Sequence, residues 1–181
     1  TMPEINPYFS DLVRQDSLTN SGNHVSFFDW LVESGKQEKF TPFTLLSTEI
    51  RGLRTLNQKS GREAGDTALR WAANLINKHT GQPSYRMGNE FITILPGGSS
   101  QAHAAKAKEI YNTLNNQAAS VELQTPAANL AGIFFPEPGQ VTPENSGRGG
   151  PVKGRWRVSG GRRPGTGPLA GQRSIQVRCT V

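Results

Sequence analysis

Apolar positions recur along this chain in two different periods, and the alternation predicts its elements. Phe27, Trp30, Leu31 and Ser34 fall at i, i+3, i+4 and i+7, which predicts a helix after a lead-in from Asn6, with Gly35 as its C-terminal stop. Phe43–Ile50 is short, apolar and bounded by Pro42 and Gly52, the pattern of a buried strand. From Glu63 to His79 one helical stripe collects Leu69, Ala72, Ala73 and Ile76, and Gly81 ends it. A hairpin turns around Met87–Glu90, with Phe91–Leu95 as its second strand and Pro96-Gly97-Gly98 beyond. Ser99 or Ser100 caps a helix to Asn115, on which Ala107, Ile110, Tyr111 and Leu114 share a face. Val121–Leu123 and Ala128–Phe135 read as two more strands. Strand, helix, hairpin, helix and strands make an α/β arrangement, with helices against a central sheet. After Pro136 neither period continues, and runs such as Gly-Gly-Arg-Arg-Pro-Gly-Thr-Gly-Pro predict loop or disorder. Trp30 and Trp71 are expected to pack in or near the core.

Composition changes this picture mainly at the C-terminal end. The 181 residues carry a net charge of +6, but residues 1–144 hold 12 Lys and Arg against 14 Asp and Glu, a net of −2. The remaining residues hold Lys153 and seven arginines with no acid, a net of +8. Ten of the 20 glycines lie between Gly139 and Val181, which argues against a packed core there. Such asymmetry can mark an arm for nucleic acid or a membrane surface. The single cysteine, Cys179, excludes an internal disulfide and is compatible with a reducing compartment. No apolar run approaches the roughly 18 residues needed to span a bilayer, and no N-terminal signal pattern is present; a cytoplasmic location is expected. Thr1 ahead of Met2 is what a cloning scar or an excised fragment would show, and the second reading leaves room for upstream domains.

Several motifs recur in an order that carries a resemblance. Asp16-Ser17-Leu18-Thr19 through Asn23-His24, with Phe27, comes first; Glu49-Ile50-Arg51-Gly52-Leu53-Arg54-Thr55-Leu56-Asn57 follows. Gly61-Arg62-Glu63-Ala64-Gly65-Asp66 comes next, then Arg86-Met87-Gly88-Asn89-Glu90-Phe91, and then Gly132 after Ala131. Together these resemble the GGDEF domains, the diguanylate cyclases that make cyclic di-GMP from two GTP. The likeness covers residues 16–136; residues 1–15 read as a lead-in and residues 137–181 as a Gly/Arg/Pro-rich basic tail. The resemblance implies an α+β fold of nucleotidyl-cyclase type, a central and mainly antiparallel sheet flanked by helices, ending here in a disordered or irregular tail.

By that resemblance, guanine recognition falls on Asn57 and Asp66, whose side chains can pair with a purine edge. Read alone, Asn57 is a loop cap and Asp66 a first-turn acid favoured by the helix dipole. Arg54 stands where the family has a phosphate-side lysine, and Gly88 is the surviving glycine of the loop. Metal binding falls on Glu49, the Ile50 carbonyl and Asn89, and Glu90 occupies the position linked to activating the attacking hydroxyl. Mg²⁺ and GTP are therefore the implied cofactor and ligand. Four departures weaken the chemistry. Asn89 replaces a carboxylate, Arg51 replaces an acid, Met87 replaces a glycine, and Arg86 precedes Met87 with one residue fewer than the family has. A one-residue change in a hairpin flips side chains or forces a different turn. No Asp lies near Lys78–Gly81, where the family's inhibitory site would begin.

The tail departs as well. Thr142-Pro143-Glu144-Asn145 looks like the start of the family's last helix, whose Lys and Arg contact phosphates, and then the pattern stops. Out-of-frame reading of a GC-rich gene gives such composition, and so does a disordered basic arm. His24, His79 and His103 lack metal-ligand spacing and read as surface or loop residues. The leading expectation is a catalytically silent domain of a bacterial signalling protein, acting as a regulatory, nucleotide-sensing or protein-interaction module. It would bind GTP more weakly than about 100 μM, with homodimers or a partner signalling domain as further contacts. An active cyclase dependent on Glu90 is the alternative. A third reading is nucleic-acid binding confined to the tail.

Overall fold

The computed structural model describes residues 12–136, 155–161 and 174–180. Its elements are helix α1 (His24–Lys36), strand β1 (Phe43–Ile50), helices α2 (Leu53–Ser60) and α3 (Arg62–Thr80), strands β2 (Ser84–Met87) and β3 (Glu90–Pro96), helix α4 (Ser100–Gln117), and strands β4 (Ala128–Phe135), β5 (Arg155–Gly161) and β6 (Ser174–Thr180). The strands form one sheet in the order β2-β3-β1-β4-β5-β6, each antiparallel to its neighbours. The expected α+β architecture, a largely antiparallel sheet flanked by helices, is the one observed.

The central strand explains where the site can lie. Thr44, Leu46, Thr48 and Ile50 of β1 are fully buried on the face covered by α3 and α4, whose stripes include Leu69, Ala72, Ile76, Ala107, Ile110 and Leu114. The opposite face holds a smaller cluster in which Phe27 of α1 meets Phe43, Leu45, Tyr85, Ile94, Ile133 and Phe135. That cluster stops halfway along β1. Beyond it Ser47 and Glu49 are only half-buried, so the Glu49 end of that face is left for polar chemistry.

Four local expectations are corrected. Gly35 does not stop α1, which runs to Lys36 with Gln37 as its C-cap. Val121–Leu123 is not a strand: Ala118–Val121 is a 3₁₀ turn and Glu122 takes a left-handed φ of 61°. His103 is buried, with Nδ1 2.5 Å from Thr44 Oγ1, so it joins α4 to β1. The tail, expected to lack regular structure, contributes β5 and β6. In Arg155-Trp156-Arg157-Val158 an alternation of two is present after all. Trp156 and Val158 are buried in the larger cluster while Arg157 is exposed. The rest of 137–181 lies outside the described residues, as do 1–11. Among the described residues no helix is long and apolar enough to cross a membrane.

Candidate nucleotide-binding site

Two local structures converge on the open end of the sheet. The first is the β2–β3 hairpin. Met87 and Glu90 are its closing pair, so Gly88 and Asn89 alone make the turn. Gly88 takes φ 66° while Asn89 is not left-handed, which suits a two-residue turn with glycine first. The shortened spacing is thus absorbed in a tight turn, with Arg86 opposite Phe91 and Met87 packed on the smaller cluster. Arg86 Nε donates to the Gly88 carbonyl at 2.7 Å, and Nη1 pairs with Asp16 Oδ1 at 2.7 Å.

Asp16 belongs to the opening motif, and its role is structural. Its Oδ2 accepts from the Thr19 amide at 2.9 Å and the Thr19 hydroxyl at 2.7 Å. Burial opposes the charge on this carboxyl, but the two Thr19 bonds and then the Arg86 guanidinium outweigh it and hold the pKa below its usual value. Asn23 caps α1, accepting from the amides of Val25 and Ser26. Gly22 lies along the outer edge of β2: its amide donates to the Ser84 carbonyl at 2.9 Å and its carbonyl accepts from the Arg86 amide at 2.7 Å. A Cβ on Gly22 would fall 2.5 Å from the Tyr85 ring, so only glycine allows this approach.

At the turn, β1 and the hairpin tip are joined. The Ile50 amide donates to the Asn89 carbonyl at 2.8 Å, and Asn89 Nδ2 donates to the Ile50 carbonyl at 3.0 Å. An amide group facing a carbonyl must present its nitrogen, because two oxygens would repel. Glu49 sits directly opposite Glu90 in the β1–β3 register and opposite Asn129 in the β1–β4 register. Like charges so placed are unfavourable, and Ser47 relieves part of this by donating its hydroxyl to Glu90 Oε1 at 2.5 Å. Ser47 and Asn129 were not anticipated; the alternation that places Ser47 and Glu49 on one face was the available signal.

The second local structure is the elbow between α2 and α3, hinged at Gly61 with φ 86°. A Cβ on Gly65 would fall 2.0 Å from Asn57 Oδ1, so Asn57 lies over Gly65 with Asp66 beside it. Neither side chain makes a hydrogen bond among the described residues, and Asn57 is exposed and Asp66 half-buried. Arg54 is exposed one turn before Asn57. The predicted residues therefore gather in two groups at one end of β1: Glu49, Ile50, Gly88, Asn89 and Glu90 at the hairpin, and Arg54, Asn57 and Asp66 at the elbow. A cleft of about 300 Å³ rimmed by Trp30, Phe40, Phe43 and Tyr85 is at the other end and takes no part.

The hairpin group does not fit a divalent cation. Mg²⁺ needs several oxygen ligands in near-octahedral order. The Ile50 carbonyl faces an amide proton, Asn89 adds no charge, and Glu49 and Glu90, one of whose oxygens accepts from Ser47, leave two carboxylates where the site asks for three acids or their equivalent. Among the described residues no three acidic, His or Cys side chains are grouped to hold an ion.

The sequence profile described as "Diguanylate cyclase, GGDEF domain" matches residues 13–141. The chain belongs to the GGDEF family. Solved structures of similar fold include the coiled coil and GGDEF domain of DgcB from Caulobacter crescentus in complex with c-di-GMP. It is 22% identical with a TM-score of 0.59, covering 71% of each chain. The FimX GGDEF domain from Pseudomonas aeruginosa is 16% identical with a TM-score of 0.60, covering 74% of this chain and 85% of that one. The diguanylate cyclase SiaD from Pseudomonas aeruginosa, in complex with its activator SiaC, is 18% identical with a TM-score of 0.63. This chain covers 56% of SiaD, and SiaD 78% of this chain. At these identities the GGDEF neighbours speak for the fold, and the profile for the family of cyclic di-GMP signalling domains.

Proposed function

We propose that this GGDEF domain is catalytically silent and serves as a regulatory, nucleotide-sensing module in cyclic di-GMP signalling. The observation that carries the reading is the bond from Asn89 Nδ2 to the Ile50 carbonyl. Where the family resemblance asks for a carboxylate and a carbonyl converging on a cation, a neutral amide closes the gap with its own proton. Joining two GTP molecules needs metal to offset charge on the phosphates and to help activate the 3′-hydroxyl. Glu49 and Glu90, the second held by Ser47, are two carboxylates where a neutral amide has replaced a third, and they fall short of the ligands and charge such a site asks for.

Incubation of the full chain with GTP and Mg²⁺ or Mn²⁺, followed by chromatography, tests the reading. No cyclic di-GMP is expected; clear product, abolished by Glu90→Gln, would sink it and restore the active cyclase. Binding of cyclic di-GMP, stated of the DgcB structure, is not expected here at the pre-hairpin position, since Lys78–Gly81 lacks an acid.

A further inference from the structure

The end of β1 carries an excess of cations that the fold's own ion pairs do not use. Residues 51–62 contain Arg51, Arg54, Lys59 and Arg62 and no acid. All four are exposed. Among the described residues none has a carboxylate partner, whereas Arg14, Lys36, Arg70, Arg86 and Lys106 each have one. Exposed unpaired cations are common and by themselves decide nothing; the positions of two of them do. Arg51 directly follows Ile50, whose carbonyl Asn89 has closed off. Arg54 lies at i−3 from Asn57, on the same side of α2, and Asn57 in turn lies over Gly65 beside Asp66. Asn57 and Arg54 thus share one side of α2, and Arg51, two residues ahead of that helix, adds a second exposed guanidinium next in sequence to the sealed carbonyl.

We propose that this site takes a guanine nucleotide without a divalent cation, its phosphates held by Arg51 and Arg54 in place of the metal. The inference rests on the silent-site reading and goes beyond it. Two guanidinium groups supply the same formal charge as one Mg²⁺, and their planar forks match phosphate oxygens two at a time. They need no carboxylates behind them. A nucleotide already chelated by Mg²⁺ offers less negative charge to these arginines, so metal should weaken binding or leave it unchanged. Glu49 and Glu90 on the neighbouring strands oppose a polyphosphate and keep the affinity modest.

An amide-resolved NMR titration of the full chain with GTP, ATP and inorganic triphosphate, in EDTA and in excess MgCl₂, tests the proposal. The expected result is GTP binding in EDTA at least as tight as in Mg²⁺, stronger than that of ATP or triphosphate, and weakened about tenfold by Arg51→Gln or Arg54→Gln. Binding that disappears in EDTA overturns it, as does an Arg51→Gln/Arg54→Gln double variant with unchanged affinity, or no GTP binding at all. Triphosphate binding as tightly as GTP also overturns it, reducing the site to a bare anion patch. Asn89→Asp should gain Mg²⁺-dependent GTP affinity, because an oxygen facing the Ile50 carbonyl requires a cation between them; no gain overturns the seal. Cyclic di-GMP production by the unmodified chain would instead defeat the silent reading, and that assay is read separately.

Discussion

Gly132 and Gly65 both lack a side chain beneath a close neighbour, yet the two neighbours differ in what they can do. A Cβ on Gly132 would lie 2.2 Å from Cζ2 of Trp156, a ring buried to 1% exposure. The indole has nowhere to go, so Gly132→Ala should destabilise the domain by about 1–3 kcal/mol, measurable as a shifted urea midpoint. A Cβ on Gly65 would meet Asn57 Oδ1 at 2.0 Å, but Asn57 is exposed and can swing into solvent. Gly65→Ala should therefore leave the melt nearly unchanged while erasing discrimination between GTP and ATP in a binding titration. Equal loss of stability in both variants would remove the link between Gly65 and base recognition.

At the scale of elements, β5 is the one whose placement matters most. Trp156 and Val158 supply its buried side, and Leu130↔Val158 and Gly132↔Trp156 fix its register on β4. Truncation after Pro136 should expose β4 as an unpaired edge and strip apolar cover from the core. The shortened chain is expected to melt at lower temperature and to self-associate on gel filtration; an unchanged melt would show β5 to be dispensable. The strand escaped sequence reading because two apolar residues among glycines and arginines give too short an alternation to count. Longer patterns were legible: the stripes of α3 and α4 and the continuous run of β1 match the observed elements within a residue or two. Val121–Leu123 misled because three residues fit either period. His103 was hidden for a different reason, since its burial depends on Thr44 across the sheet. Burial lowers its pKa, with the Pro96 carbonyl partly offsetting this. The unfolded chain therefore takes up the proton first. This contribution to stability is full above about pH 6.5 and is lost as pH falls below it, so thermal melts across that range should show a decline that His103→Gln flattens.

For the whole molecule, the sequence named residues that the fold brings together at one end of β1, but not how they bond to one another. The family resemblance grouped Glu49, Ile50, Asn89 and Glu90, and they lie next to one another across β1 and the hairpin. It could not say that Asn89 would bond the Ile50 carbonyl, because that depends on a two-residue turn and on register across β1 and β3. Nor could it pair Ser47, which alternation does place on the face of Glu49, with Glu90, 43 residues away. The opening segment has a part in this arrangement as well. Replacing the Asp16 carboxylate by a neutral amide unpairs the Arg86 guanidinium, and the ion pair they form leaves the Arg86 and Asp16 side chains only 19% and 18% exposed. A cost of about 1–3 kcal/mol is expected for Asp16→Asn. Protonation acts likewise: with the folded pKa lowered, the pair's contribution is full above about pH 4 and is lost as acid is added through the folded value. One guanidinium grips Asp16 with one nitrogen and the Gly88 carbonyl with another. The segment entering the domain is thus geared to the hairpin turn through a single side chain. A pull on residues 12–16 would reach the Gly88 carbonyl, and with it the turn that carries Asn89, through Arg86. Hydrogen exchange at the Gly88 and Asn89 amides, faster in Asp16→Asn while the core of α3 stays protected, would reveal that gearing.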